Sequence, residues 1–140
     1  LIFGEGEEKE KLQELINEKN MSEKIFLKGY SKNVFFFMKK AELFILSSLW
    51  EDPGFVLIEA ALCNLFIISS DCKNGPSEFL LNGNAGILFK SNKENELKKS
   101  LVDFVNQNSN LKDKMKLAKK NCHNYTLFRH FKLFNKLLSY

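Results

Sequence analysis

Two glutamates eight positions apart, Glu51 and Glu59, bracket the stretch of this chain best equipped for chemistry. It runs Ser47-Ser48-Leu49-Trp50-Glu51-Asp52-Pro53-Gly54-Phe55-Val56-Leu57-Ile58-Glu59-Ala60, a strand end, a Pro-Gly turn and a helix start in succession. The first N–H groups of a helix have no intrahelical acceptor, so the amides of Gly54, Phe55 and Val56 offer a place for an anion. Glycine at that point lets a phosphate approach the main chain closely. Glu51 in the loop reaches a group at the loop mouth, and Glu59, about one turn inside the helix, reaches a group beside it. Two carboxylates next to an anion site suit a ligand with hydroxyls as well as phosphate, one glutamate accepting from a sugar and the other from a ribose. The same spacing also allows a purely structural arrangement, in which Glu51 caps the helix and Glu59 pairs with a lysine.

Other reactive residue types make weaker patterns. Gly4-x-Gly6 has Lys9 where a dinucleotide-binding loop needs a third glycine, and Glu5, Glu7 and Glu8 would repel a pyrophosphate, so it reads as a plain strand-to-helix turn. Cys63, Cys72 and Cys122 are odd in number and lack CxxC spacing, which argues against a disulfide framework and a structural zinc site and points to a reducing cytoplasm. His123 and His130 complete no ligand cluster with them, and no metal site is expected. Cys72, between Asp71 and Lys73, reads as a free thiol, since neither histidine can be placed beside it.

The elements that must position Glu51 and Glu59 follow from apolar spacing. Leu1-Ile2-Phe3 is a strand ended by Gly4-Glu5-Gly6, and Leu12, Leu15 and Ile16 lie at helical intervals in the segment that follows, closed by Asn20. Ile25-Phe26-Leu27 is a second strand ended by Gly29, Val34 to Lys40 a short helix, and Leu43 to Leu46 a buried strand. A helix over Phe55 to Cys63 ends at Asn64, which tolerates positive φ. Leu65 to Ile68 is the next strand, Asp71 to Pro76 a turn-rich loop, and Gly86 to Phe89 the last strand. Ser91-x-x-Glu94 has the form of a capping box, opening a helix with Leu97, Leu101, Phe104 and Val105 on one face. Asn110 caps a helix carrying Leu111, Met115, Ala118 and Cys122. Thr126 caps a final amphipathic helix with Phe128, Phe131, Phe134 and Leu138 inward. Short apolar strands alternating with helices imply a doubly wound, Rossmann-like α/β fold with a parallel sheet covered on both faces. Ligands of such sheets sit beyond the C-terminal strand ends, at the loops Gly4 to Gly6, Gly29 to Asn33, Ser47 to Phe55 and Ser69 to Ser77.

The motif Glu51-x7-Glu59 is preceded by Leu43-Phe44-Ile45-Leu46-Ser47-Ser48 and followed by Ile67-Ile68-Ser69-Ser70-Asp71-x-x-x-Gly75-Pro76-Ser77-Glu78. Gly4-Glu5-Gly6 with Leu12, Ile25-x-Leu27-x-Gly29-Tyr30 and Asn84-Ala85-Gly86-Ile87-Leu88-Phe89 stand in register around it. Together these resemble the C-terminal, donor-binding half of a retaining glycosyltransferase of the GT-B fold, family 4 (group 1), over nearly the whole chain. The resemblance implies that Glu51 contacts hydroxyls of the transferred hexose and is the catalytic residue. Asp52, Pro53, Gly54, Phe55 and Val56 line the sugar or diphosphate, and Glu59 holds the ribose. Gly29 and Tyr30 lie against the base, most often uracil. It implies a metal-independent reaction with no cofactor, the nucleotide sugar being a substrate, and a glycan or lipid-linked acceptor. Two departures stand out: Asp52-Pro53-Gly54-Phe55 replaces the family's Gly-Phe-Gly after the first glutamate, and Asn64-Leu65-Phe66 replaces a Gly-x-Pro turn. The basic residues that clamp the diphosphate, and the acceptor-binding domain, are expected outside this chain. Residues 1–140 thus read as one nucleotide-sugar-binding domain truncated at its N-terminal side.

Composition narrows the alternatives. With 44% hydrophobic and 27% charged residues and 14 phenylalanines, the chain holds enough apolar material for a core, and no run approaches the ~18 apolar residues of a membrane span. Lys112 to Tyr140 carries eight basic residues against one acidic, within a net charge of only +4. That segment, and Phe35-Phe36-Phe37-Met38-Lys39-Lys40, leave peripheral contact with the inner face of a membrane open beside the simpler reading of core packing with solvated lysines. Nucleic acid is not expected, because the phenylalanines at helical spacing belong to the core and not to a basic face. The alternatives to a transferase are a non-catalytic nucleotide-binding or scaffold domain of the same fold and a sugar-nucleotide epimerase.

Overall fold

The computed structural model describes residues 1–106 and 110–139. The chain forms two compact units, Leu1–Val34 and Phe35–Tyr140, each described on its own. In the first, β1 (Ile2–Phe3) pairs in parallel with β2 (Leu27–Gly29), Ile2 opposite Leu27 and Phe3 opposite Gly29, and α1 (Lys9–Glu18) makes the crossover. Asn20 takes a left-handed conformation just past the end of α1, at φ 54°, as the sequence predicts.

The second unit holds α2 (Val34–Met38, starting at the boundary), β3 (Leu43–Leu46), α3 (Phe55–Leu62), β4 (Phe66–Ser70), α4 (Pro76–Phe79), β5 (Ile87–Phe89), α5 (Glu94–Asn106), α6 (Leu111–Asn121) and α7 (Leu127–Leu138). Its sheet is parallel throughout, in the order β3-β4-β5. Central β4 is buried along all five residues, which is why its sequence is an unbroken apolar run closed by two small hydroxyls. Phe66, Ile68 and Phe89 form a core cluster against Leu97, Leu101 and Phe104 of α5 and Leu111 and Met115 of α6. The Phe66 and Phe104 rings lie 5.2 Å apart. α3 packs on β4 and on α6, with Leu57, Ala60 and Ala61 buried. Asn64, at φ 59°, ends the α3 segment as expected, and its side chain accepts a hydrogen bond from Lys119 Nζ at 2.7 Å.

Several local expectations change: the second strand runs Leu27–Gly29 and not Ile25 to Leu27, and the Asn110 side chain makes no capping hydrogen bond to α6. β4 runs on to Ser70, because Ser69 and Ser70 continue the ladder opposite Leu88 and Phe89. The loop after β4 gives way to α4 at Pro76 and then a 3-10 turn at Leu81–Gly83, neither signalled by apolar spacing. Ser91 is no capping residue: Asn92 sits at φ 57°, α5 starts only at Glu94, and the Ser91 hydroxyl is buried with no partner while its N–H donates to Asp71 Oδ1 at 2.7 Å. Thr126 does cap α7, accepting from the Arg129 N–H at 3.3 Å, but Phe128, Phe131, Phe134 and Leu138 are exposed instead of inward. Periodicity fixes which residues share a helix face; it does not supply a surface to cover them.

Besides the Lys119 bond to Asn64, two polar side chains of α6 reach the segment from Phe79 to Gly86. Lys114 Nζ donates to the Gly83 carbonyl at 2.6 Å and the Gly86 carbonyl at 2.9 Å, and its burial pushes the ammonium pKa down. Asn121 Nδ2 donates to the Phe79 carbonyl at 2.8 Å.

Candidate functional site

The segment from Ser47 to Glu59 leaves β3 at its C-terminal end, crosses as a loop and enters α3. Gly54 is the N-cap of α3, with φ 75° and ψ 45°, a left-handed conformation that glycine adopts without strain. The Leu57 N–H donates to the Gly54 carbonyl, so the N–H groups of Gly54, Phe55 and Val56 have no intrahelical acceptor. Gly54 is buried, Val56 half-buried and Phe55 exposed, as are Asp52 and Pro53.

The structure shows which local contacts the two glutamates make. No side chain caps α3, so Glu51 is not a capping residue. Its Oε1 instead accepts from Ser48 Oγ at 2.5 Å, while Oε2 faces Gly54, 3.6 Å from where a Cβ on that glycine would stand. Glu59 forms no ion pair among the described residues and lies half-buried on the first turns of α3. Both carboxylates are therefore available to a ligand, one at the loop and one on the helix.

The loop after β4 braces the one that carries Glu51. Trp50 and Lys73 form an isolated parallel bridge, and the Glu51 N–H donates to the Lys73 carbonyl at 3.3 Å. Gly75, at φ 134°, comes so close to the Pro53 carbonyl that a Cβ there would collide with it. The buried Ser70 hydroxyl donates to the Ser48 carbonyl at 2.6 Å. Sequence reasoning missed Ser48, Ser70, Lys73 and Gly75 as parts of the site. The available signal was Ser48 three residues before Glu51, the reach of a hydroxyl across one tight turn.

Gly29 and Tyr30 belong to the first unit. Gly29 is left-handed, at φ 63°, and a side chain there would run into the Glu5 carboxylate. That carboxylate accepts from the Tyr30 N–H at 3.2 Å and from Lys9 Nζ at 3.1 Å. The Lys9 hydrogen bond first, then the Tyr30 amide, hold the pKa of Glu5 below its ordinary value. The Gly4 to Gly6 loop thus directs its glutamate toward Tyr30, whose own side chain is 76% exposed.

The family model for glycosyl transferases group 1 matches residues 1–121, a span that takes in the strands of both units and both motif glutamates. The chain belongs to the group 1 glycosyltransferases. An uncharacterised glycosyltransferase of Methanocaldococcus jannaschii is 50% identical to this group 1 chain over 80 residues, 57% of this chain and 20% of that protein. A second relative is the N-acetylgalactosamine-N,N'-diacetylbacillosaminyl-diphospho-undecaprenol 4-alpha-N-acetylgalactosaminyltransferase of Campylobacter jejuni. It is 33% identical over 121 residues, covering 86% of this chain and 32% of the relative. Among solved structures, a Staphylococcus aureus TarM variant in complex with fondaparinux, alpha-GlcNAc-glycerol and UDP superposes with a TM-score of 0.82 at 28% identity. That match covers 96% of this chain and 28% of TarM. The chain therefore spans between a fifth and a third of the length of these proteins. The GT-B assignment and the parallel α/β fold agree with these neighbours. Among the described residues no helix is long and apolar enough to cross a membrane, and no three His, Cys, Asp or Glu side chains gather in a way that could hold a metal ion.

Proposed function

We propose that this chain is the donor-binding half of a retaining glycosyltransferase, taking a UDP-hexose or UDP-N-acetylhexosamine and passing the sugar to a glycan or lipid-linked acceptor. The observation that carries the reading is the arrangement at α3. A carboxylate that does not cap α3 lies beside its N-terminus, where the first amides have no intrahelical acceptor, and a second carboxylate, with no ion pair among the described residues, sits on α3 itself. In this reading the Gly54, Phe55 and Val56 amides meet the diphosphate, with Asp52 and Pro53 shaping the wall of the subsite. Charge develops on the departing UDP as the anomeric C–O bond breaks, and oriented amides stabilise it without reorganising. Glu51 accepts hydrogen bonds from hydroxyls of the sugar, and Glu59 from those of the ribose. The acceptor hydroxyl attacks the anomeric carbon on the face that UDP leaves, as the anomeric C–O bond to UDP breaks, and passes its proton to the departing diphosphate oxygen, so configuration is retained.

The ligands of the TarM complex and the named acceptor of the Campylobacter relative support a UDP-linked donor and a lipid-linked acceptor. A second domain would bring the acceptor and close over the donor, excluding water that would otherwise hydrolyse it. No metal or cofactor enters the reading, since the amides take the role of a divalent ion. A nucleotide-sugar donor fits an enzyme that works in the cytoplasm, and a lipid-linked acceptor would draw it to the inner face of the membrane.

The test is an isothermal titration of the full-length protein with UDP, GDP and a panel of UDP-sugars, alongside turnover with acceptor. Glu59→Gln weakens UDP itself, and Glu51→Gln weakens only the added contribution of the sugar. Equal UDP affinity in wild type and Glu59→Gln overturns the assignment of the ribose site. Tight donor binding without turnover on any acceptor points to a non-catalytic nucleotide-binding domain.

A further inference from the structure

The Glu51 carboxylate is held by one hydroxyl, and the backbone that carries that hydroxyl is tied to the core by a second. Ser70, the last residue of β4 and fully buried, donates from Oγ to the Ser48 carbonyl at 2.6 Å. Ser48, two residues past the end of β3, donates from its own Oγ to Glu51 Oε1 at 2.5 Å. With Oε1 tied down, Oε2 is the oxygen that faces Gly54 at the N-terminus of α3. The backbone at Glu51 is pinned independently, because the Glu51 N–H donates to Lys73 and Trp50 bridges the same residue. The main chain, with the Ser48 carbonyl held by Ser70, therefore fixes where Glu51 stands, and the Ser48 hydroxyl fixes how its carboxylate is turned.

We propose that Ser48 is a positioning residue for sugar transfer, supported by Ser70, which presents Glu51 Oε2 to the donor sugar. The inference rests on the donor-site reading of Glu51 given above. A glutamate has three side-chain torsions, and one without the Ser48 bond distributes over several rotamers, few of them placing an oxygen at the sugar. Ordering the carboxylate before the ligand arrives removes that loss from the binding step. Ser48 itself makes no contact with nucleotide in this arrangement, so its removal is felt at the sugar and not at UDP.

The experiment uses the full-length protein and measures UDP and UDP-sugar affinities by calorimetry for wild type, Ser48→Ala, Ser48→Thr, Ser70→Ala, Glu51→Ala and the double variant Ser48→Ala/Glu51→Ala. Ser48→Ala leaves UDP affinity unchanged and lowers the sugar's added contribution about tenfold. Ser48→Thr, which keeps the hydroxyl, restores it, and Ser70→Ala gives a smaller loss of the same kind. The double variant matches Glu51→Ala, because Ser48 acts through the carboxylate and has nothing to orient without it. The relay is overturned if Glu51→Ala removes the sugar's contribution while Ser48→Ala does not, or if Ser48→Ala weakens UDP as much as UDP-sugar. A wild-type sugar contribution in Glu51→Ala overturns the donor-site reading itself, and the relay falls with it.

Discussion

Three glycines of the second unit separate backbone strain from collision, and they make a test of how the Glu51 loop is held. Gly83 has φ 90° and open space where a Cβ would stand, so Gly83→Ala adds strain alone, about 1 kcal/mol. Gly86 has an ordinary φ, but its Cβ would stand 2.7 Å from the Ile67 carbonyl and 3.0 Å from Leu80, so Gly86→Ala adds overpacking alone, about 1–3 kcal/mol. Gly75 carries both burdens: φ 134° and a Cβ that meets the Pro53 carbonyl. Gly75→Ala should cost about 3 kcal/mol or more, the sum of the two effects. It should also push Pro53 and Gly54 away from the position that presents the α3 amides. Losing one amide-to-phosphate hydrogen bond is worth about 1.5–3 kcal/mol, so UDP affinity falls tenfold or more. Urea denaturation with paired UDP calorimetry reads both quantities. The expected pattern is a stability loss in all three variants and a UDP loss only in Gly75→Ala. The reasoning is refuted if Gly75→Ala binds UDP like wild type, or if Gly86→Ala weakens UDP just as strongly, since the effect would then be general softening of the unit.

Lys114→Met removes the donor to the Gly83 and Gly86 carbonyls and should lower stability by about 1–3 kcal/mol in urea denaturation. Because burial depresses the Lys114 pKa, the folded chain releases this proton before the unfolded chain does. Stability from this group therefore rises with pH in the window just below 10.5, a rise that denaturation curves at stepped pH should show in wild type and not in Lys114→Met. The Tyr30 amide resonance should follow protonation of Glu5 with a midpoint below 4.5, and Lys9→Ala should move that midpoint up, because the Lys9 hydrogen bond is the largest cause of the depression. A midpoint unmoved by Lys9→Ala would mean that the ion pair does not form in solution. Phe66→Ala opens the cluster beneath α5 and should cost about 3–5 kcal/mol, without a change in the ratio of UDP to UDP-sugar affinity.

Much of the fold was legible because burial on both sheet faces leaves a plain signature. Leu43 to Leu46, Phe66 to Ile68 and Ile87 to Phe89 are nearly all apolar, and each proves to be a strand. Helix ends were legible where one residue type has a conformational reason to be there, as with Asn20, Asn64 and Thr126. Ser91 shows how such a rule fails. The spacing Ser-x-x-Glu is right for a capping box, but Asp71 captures the Ser91 backbone N–H and Asn92 turns left-handed, so α5 starts three residues later. A tertiary contact twenty residues away outweighed a local pattern. α7 fails differently: its apolar face was read correctly as a face and wrongly as an interior.

At the site, residue types were legible and their restraints were not. Glu51, Gly54 and Glu59 stand out because carboxylates and a glycine at a helix start have recognisable chemistry. Ser48, Ser70 and Gly75 do not, because serine and glycine are common and their roles depend on which carbonyl or carboxylate lies opposite. Spacing therefore left two readings of Glu51, cap or ligand, that differ in one hydrogen bond. That bond goes to Ser48 Oγ, and it leaves Oε2 as the carboxylate oxygen nearest Gly54, the N-cap of α3. An acceptor and a row of donors side by side are what a phosphorylated sugar presents in complement, with hydroxyls that donate next to phosphate oxygens that accept. A loop that used Glu51 to cap α3 would have neutralised both at once. The fold instead ties the carboxylate to Ser48 and begins the helix at Gly54, the arrangement on which the proposed donor site rests.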